Sequence, residues 1–287
     1  MWEPTAERAQ ATAMHRFMQE TGHDDYDALY RWSVSDSPAF WESLCEFCDV
    51  NFDSDADTIL TRPDNIMDAG WFAGSQLNYA AHLLRHDGEE AAVIFVGEDG
   101  TRRELSRNEL RAQVAAVAAG LRDAGVSKGD RVGGFLPNCP EAVIAMLATT
   151  SLGAIWSSCS PDFGVNGVVD RFGQIEPKVL FAVNGYFYNG NPCDTRPTIE
   201  GVVSAVGSIE KTVVIPFVAD LGADMTLTGA IDWQDFAVAG QPLSFTTVDF
   251  NHPLYIMYSS GTTGAPKCIV HGHGGTLLQH LKEHVLH

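Results

Sequence analysis

Apolar positions along this chain change their spacing from one stretch to the next. Met14, Phe17 and Met18 recur at helical intervals within residues 6–20, which predicts an amphipathic helix. Residues 26–32 and 38–48 predict two more helices, the second capped by Ser37 with Pro38 at its first position. Residues 49–65 are acidic and turn-rich and predict a boundary. The small and aromatic residues of 70–80 read as a buried loop entering a helix. From residue 91 onward, short apolar runs alternate with longer helical patterns. Strands are predicted at 92–96, 130–136, 154–157, 178–183 and 211–216. Helices are predicted from a Ser106 cap to 124, and at 140–152, 165–175 and 198–206. This alternation predicts βαβ units and a doubly wound parallel sheet, an α/β fold. Residues 219–251 are irregular. They lead to an aromatic-rich run, 254–258, that reads as a buried strand, and 268–270 reads as β-like. No internal repeat or low-complexity stretch interrupts the pattern.

Composition narrows the classes. At 287 residues the chain is long enough for a sizeable core, and 45% apolar with 19% charged residues is ordinary for a globular protein. The balance of 18 Lys+Arg against 37 Asp+Glu, a net charge of −19, argues against nucleic acid or an anionic membrane as partner. No apolar run approaches the roughly 18 residues of a spanning helix, and Met1-Trp2-Glu3-Pro4 does not read as a signal peptide. Six scattered cysteines, Cys139 and Cys159 among them in apolar contexts, suggest reduced thiols in a cytosol. Cys45-x-x-Cys48 sits in a helical pattern with Trp41, Leu44 and Phe47 and reads as a packed helix. His280, His284 and His287 are spaced to share a helical face, but only Glu283 accompanies them, so no metal site is expected there.

The chemistry concentrates after the strand at 254–258. Tyr258, Ser259, Ser260, Thr262 and Thr263 supply five hydroxyls beside Gly261 and Gly264, and Pro266-Lys267 follows. Glycines let backbone N–H groups turn inward into an anion-binding concavity, hydroxyls extend it, and Lys267 adds a mobile positive charge. This is the composition of a triphosphate cradle. It is not a Walker loop: Pro266 stands where the second glycine belongs and Cys268 follows the lysine.

Ten residues in this order, between a strand and a β-like run, resemble the phosphate loop of the adenylate-forming superfamily of acyl-CoA synthetases, luciferases and adenylation domains. Three other stretches resemble its acetoacetyl-CoA synthetase branch. They are Trp71-Phe72-x-Gly74-x-x-Leu77-Asn78-Tyr79-Ala80; Leu136-Pro137-Asn138-Cys139-Pro140-Glu141-Ala142 through Gly153-Ala154-Ile155-Trp156-Ser157-Ser158-Cys159-Ser160-Pro161-Asp162-Phe163-Gly164; and Asp170-Arg171-Phe172-Gly173-Gln174-Ile175-Glu176-Pro177-Lys178, with Gly185-Tyr186 beyond. The ending His271-Gly272-His273-Gly274-Gly275 fits the same branch, so the resemblance spans almost the whole chain.

That resemblance implies the N-terminal part of the adenylate-forming fold. Residues 1–65 would form its helical N-terminal segment, and residues 66–287 an incomplete AMP-binding domain whose second sheet begins at the phosphate loop. It also implies ATP-dependent ligation of acetoacetate to CoA through an acyl-adenylate, with Mg²⁺; acetate or propionate, or a non-catalytic truncated polypeptide, are the alternatives. Ser259, Ser260, Gly261, Thr262, Thr263, Gly264 and Lys267 would hold the ATP phosphates. Trp156 and Phe163 would line a CoA channel, with core packing as the other reading. Asp162 and Arg171 read as a catalytic acid and an anion contact, or as structural residues. Where the family carries a basic residue after Tyr-x-Gly, this chain has Asn189-Gly190-Asn191-Pro192-Cys193, and Arg196 is the candidate substitute. The family's adenine, ribose and catalytic-lysine motifs are expected beyond His287, so these 287 residues alone are expected to be inactive.

Overall fold

The computed structural model describes residues 3–221, 229–259 and 264–287. These residues divide into two compact units: Asn78–Thr246 with Pro253–His271, and the residues up to Leu77 with Thr247–His252 and Gly272–His287.

The larger unit is built on a seven-stranded sheet. Its strands are β1 (Arg131–Phe135), β2 (Ile155–Cys159), β3 (Val179–Val183), β4 (Lys211–Ile215), β5 (Ala230–Asp232), β6 (Pro253–Ser259) and β7 (Lys267–Gly272), in the order β5-β4-β3-β1-β2-β6-β7. The ladders from β5 through to β6 are parallel. Strands of this kind are covered on both faces and so read as continuous apolar runs, as in Val179-Leu180-Phe181-Ala182-Val183. Their side chains alternate between two cores. Val179, Phe181 and Val183 pack with Leu110, Val117 and Leu121 of α1 (Arg107–Asp123) and with Ile144 and Leu147 of α2 (Pro140–Ser151). Leu180 and Ala182 pack with Val168 and Phe172 of α3 (Val165–Ile175) and with Ile199 and Val202 of α4 (Arg196–Ala205). Helices therefore cover both faces, the doubly wound arrangement expected from the pattern.

Local signals explain the helix boundaries. Ser106 and Glu109 form a reciprocal capping box at the start of α1, as expected for the Ser106 cap. Asn78 caps the short helix Tyr79–Leu83 with its carbonyl oxygen, while its buried amide donates to the Thr150, Ser151 and Thr246 carbonyls.

In the smaller unit the helices are, in chain order, Ala6–Gln10, Ala13–Glu20, Tyr26–Ser35 and Ser37–Phe47, with His273–Leu281 near the end of the chain. The single helix expected over 6–20 is broken because the Thr12 hydroxyl accepts from the His15 N–H and starts a new helix. Asp36, not Ser37, caps the fourth helix: its carboxylate accepts from the Ala39 N–H, and the Ser37 hydroxyl turns back to the Ser33 carbonyl. Phe17, Leu29, Phe40, Leu44 and Leu286 form the core of this unit.

Other features also differ from the sequence reading. The strand leading to the phosphate loop does not open a second sheet; β6 joins the main sheet beside β2, with Tyr255 opposite Trp156. Apolar side chains on both of its faces make that possible, Ile256 packing into one core and Tyr255 against the other. Residues 70–80 hold two short strands, Gly70–Ala73 and Gln76–Leu77, the first paired with Thr58–Thr61 inside the stretch read as turns. The charged segment Arg102–Ser106 pairs with Ala91–Val96 as a hairpin. Gly185–Tyr188 and Asn191–Asp194 form another hairpin, closed by Asn189 and Gly190. Both residues have positive φ, 49° and 73°, the conformation a two-residue Asn-Gly turn requires. No described helix is long and apolar enough to cross a membrane.

Candidate functional site

The residues expected to hold phosphates fall between β6 and β7. Ser259 ends β6; Ser260, Gly261, Thr262 and Thr263 lie outside the described residues. Gly264 has φ +103°, a backbone conformation that side chains rarely adopt, and nothing approaches its Cβ direction within 4 Å. Lys267 opens β7 and is exposed to solvent.

Both strands flanking the loop are held by α3. On the β6 side, the Arg171 guanidinium lies over the Tyr258 ring at 5.6 Å and over the Phe163 ring at 4.3 Å, and it donates to the Gly167 carbonyl. The Tyr258 hydroxyl donates to the Arg171 carbonyl at 3.3 Å and lies 3.2 Å from the Ser157 hydroxyl, which donates to the Ile256 carbonyl. Burial pushes the Tyr258 phenol up to about 12, so it stays a neutral donor at physiological pH. On the β7 side, the Gln174 amide donates to the Pro266 carbonyl at 2.9 Å, and its oxygen faces the Cys268 thiol at 3.7 Å.

A second concavity lies at the carboxyl ends of β1 and β2. Neighbouring strands β1 and β3 send their following helices, α2 and α4, to opposite faces of the sheet. Such a switch point opens a crevice where α/β sheets bind ligands. Here the crevice has a volume of about 400 Å³ and is lined by Glu98, Pro137, Asn138, Ser158, Asp162 and the hairpin residues Tyr186 and Tyr188. The Gly190 N–H donates to the Glu98 carboxylate. Burial, followed by a hydrogen bond with the Asp162 carboxylate, pushes the Tyr186 phenol up to about 12.

The residues singled out in sequence fall in different surroundings. Trp156 is only 6% exposed; its indole lies beside Gly134 and Phe181, the core-packing alternative. Phe163 is 38% exposed and supports Arg171. Asp162 accepts from the Ser160 hydroxyl. Arg196 is engaged by Asp194 through two nitrogens and by the Leu221 carbonyl, and this pairing holds the Asp194 carboxyl below its ordinary range. Sequence reasoning missed Gln174 and Tyr186; the Gln174 contact joins residues 92 positions apart, with no local signal. His280 and His284 have ring centroids 6.0 Å apart, while His287 approaches Lys282. Among the described residues no group of three His, Cys, Asp or Glu side chains is placed to hold a metal ion.

Residues 81–285 match the model for AMP-binding enzymes, well over half of the chain. The chain belongs to the AMP-binding enzyme family. Residues 26–83 match a second model, the acetyl-coenzyme A synthetase N-terminus. Across its full length the chain is 45% identical to acetoacetyl-coenzyme A synthetase from Rhizobium meliloti and 45% identical to acetoacetyl-CoA synthetase from Macaca fascicularis, covering 45% of each. It superposes on the solved structure of acetoacetyl-CoA synthetase from Streptomyces lividans with a TM-score of 0.91 at 41% identity, covering 98% of this chain and 44% of that one. The chain thus spans less than half the length of these AMP-binding relatives.

Proposed function

We propose that the protein carrying this chain ligates acetoacetate to CoA at the expense of ATP, through an acetoacetyl-adenylate. The observation that carries this reading is 41–45% identity to proteins named acetoacetyl-CoA synthetase along essentially the whole chain, phosphate loop included. Residues 1–65 as a helical N-terminal segment and residues 66–287 as part of the AMP-binding domain belong to the same proposal. So does a cytosolic setting, supported by six cysteines that form no disulfide among the described residues.

The chemistry follows from the loop. A carboxylate oxygen of acetoacetate attacks the α-phosphorus of ATP, forming the acyl-adenylate as the bond to the β-phosphate breaks and pyrophosphate leaves. Charge accumulates on the β,γ-phosphates during this step, where the loop's N–H and hydroxyl donors and the Lys267 ammonium stabilise it. The CoA sulfur then attacks the acyl carbon with loss of the thiol proton, and AMP departs. Ser259, Ser260, Gly261, Thr262, Thr263, Gly264 and Lys267 are assigned to the phosphates. Phe163, beside Arg171 near the loop, stays a candidate for the CoA channel. Trp156 and Arg196 have weaker support, because the core and Asp194 already engage them. Mg²⁺ would arrive on the ATP phosphates, which supply most of its ligands in sites of this kind and spread the charge that develops there.

Pyrophosphate exchange into ATP tests the substrate. Acetoacetate is expected to support exchange at least about tenfold better than acetate or propionate, a preference worth about 1.4 kcal/mol. Preference for acetate, the acid suggested by the match of residues 26–83, would replace this reading. A second reading rests on a relative named malonamoyl-CoA synthetase, from Penicillium aethiopicum, 36% identical across the whole chain. Malonamate shares with acetoacetate a carbonyl two carbons from the carboxylate, so both acids belong in the assay.

A further inference from the structure

The helix α3 touches the phosphate loop's two flanking strands at different points, through side chains that lie outside the loop itself. Arg171 faces Tyr258, one residue before Ser259, on the incoming strand. Gln174, three positions further along the same helix, faces Pro266 and Cys268, the neighbours of Lys267, on the outgoing strand. Residues three apart lie on one side of a helix, so a single rigid element meets both strands. We infer that Arg171 and Gln174 are positioning residues that set the spacing and orientation of the loop's two ends and thereby aim Lys267 at the ATP phosphates. The inference rests on the assignment of this loop to ATP.

The side chains suit that task better than their neighbours would. The Arg171 guanidinium is planar and lies against two aromatic rings, Phe163 and Tyr258, a contact a lysine ammonium reproduces poorly. Its partner Tyr258 is fixed in turn through the Ser157 hydroxyl to the backbone of β6. The Gln174 amide is fully committed: one nitrogen donates both to its own helix at Asp170 and across to Pro266, and the oxygen faces Cys268. Pro266 has no N–H, so its carbonyl is the group through which its backbone can be held. Gln174 is exposed, and the folded unit does not depend on it for its core. Its contribution is therefore separable from folding.

Calorimetric titration of the intact protein with magnesium ATP, alongside both half-reactions, tests this. Gln174→Ala is expected to weaken ATP binding and slow adenylate formation about 3- to 10-fold, the loss of roughly one hydrogen bond. Thioester formation from preformed adenylate is expected to stay within about twofold, and the melting temperature within about 2 °C, of the wild type. Gln174→Glu, which cannot donate to Pro266 and sets a carboxylate against its carbonyl, is expected to lose at least as much as the alanine variant. Arg171→Lys, with charge kept and the planar stack lost, is expected to shift the same two quantities. Unchanged ATP affinity in all three variants overturns the inference, as does an equal loss in both half-reactions accompanied by a lowered melting temperature. A wild type that binds ATP but exchanges pyrophosphate with no acid overturns the proposed acid activation instead, while a Gln174 effect on ATP affinity still upholds the positioning role.

Discussion

Lys267→Ala is expected to slow adenylate formation roughly 10- to 150-fold, the span a hydrogen bond from a charged donor carries. Lys267 stands exposed at the start of β7, directly after the Pro266 backbone that Gln174 holds. An exposed ammonium does nothing for folding at this position, so the melting temperature is expected to change little. Its effect appears when pyrophosphate charge develops, and that charge is gone once the adenylate exists. Stopped-flow or quench measurements with ATP and acid should therefore show the full loss, whereas transfer from preformed adenylate to CoA should be nearly intact. Lys267→Arg keeps the charge but presents a rigid fork, and is expected to recover only part of the rate. Equal losses in the two half-reactions would remove Lys267 from the β,γ-phosphates.

Gly120→Ala is expected to destabilise the larger unit by about 2 kcal/mol or more, although helix propensity alone argues for a gain of about 1 kcal/mol. Gly120 lies inside α1, and a Cβ there would sit 2.2 Å from the Phe236 carbonyl oxygen and 2.9 Å from its ring. The obstacle is backbone, which cannot swing aside as a flexible side chain would. The segment is tied down further where the Val238 N–H donates to the Ala116 carbonyl on the same helix. Moving it would also disturb Trp233 and Phe236, both packed into the core around Phe181. Gly173, in α3, has nothing within 4 Å of its Cβ direction. Gly173→Ala is therefore expected to stabilise by up to about 1 kcal/mol. Urea or thermal melts of the two variants should move in opposite directions; a stabilised Gly120→Ala would contradict the packing.

Those two glycines show where sequence legibility ends. Both sit in helical patterns and read alike, yet only the fold reveals that one faces a carbonyl and the other open space. The βαβ alternation was readable because strands covered on both faces are nearly continuous apolar runs, as at residues 179–183. The hairpin at Arg102–Ser106 was hidden by its three charged residues, and Ala230–Asp232 by its brevity. Asn189-Gly190 is a local turn signal, and the hairpin it closes is the kind such a dipeptide predicts. The second sheet expected at the loop failed for another reason: which neighbour a strand takes is a long-range property, and β6 pairs with β2 across about a hundred residues. The Ser/Thr/Gly-rich wording of residues 259–264 is legible in sequence, while the Gln174 contact is not, since its partners lie far away in the chain. Trp156 marks the same limit, because an aromatic residue suits a channel as well as a core; Gly134, whose Cβ would lie 2.6 Å from the indole, reveals the packing.

Acid activation by attack on the α-phosphate leaves an oxygen of the acid on AMP, which isotope tracing can follow. With acetoacetate labelled by ¹⁸O in its carboxylate, the intact protein, ATP and CoA, the oxygen that forms the bond to phosphorus stays with AMP when the thioester is made. Mass spectrometry of the products is expected to find one ¹⁸O in each AMP formed and none in pyrophosphate. Label in inorganic phosphate, with ADP as the nucleotide product, would mean attack at the γ-phosphate and an acyl phosphate intermediate, and would contradict the account.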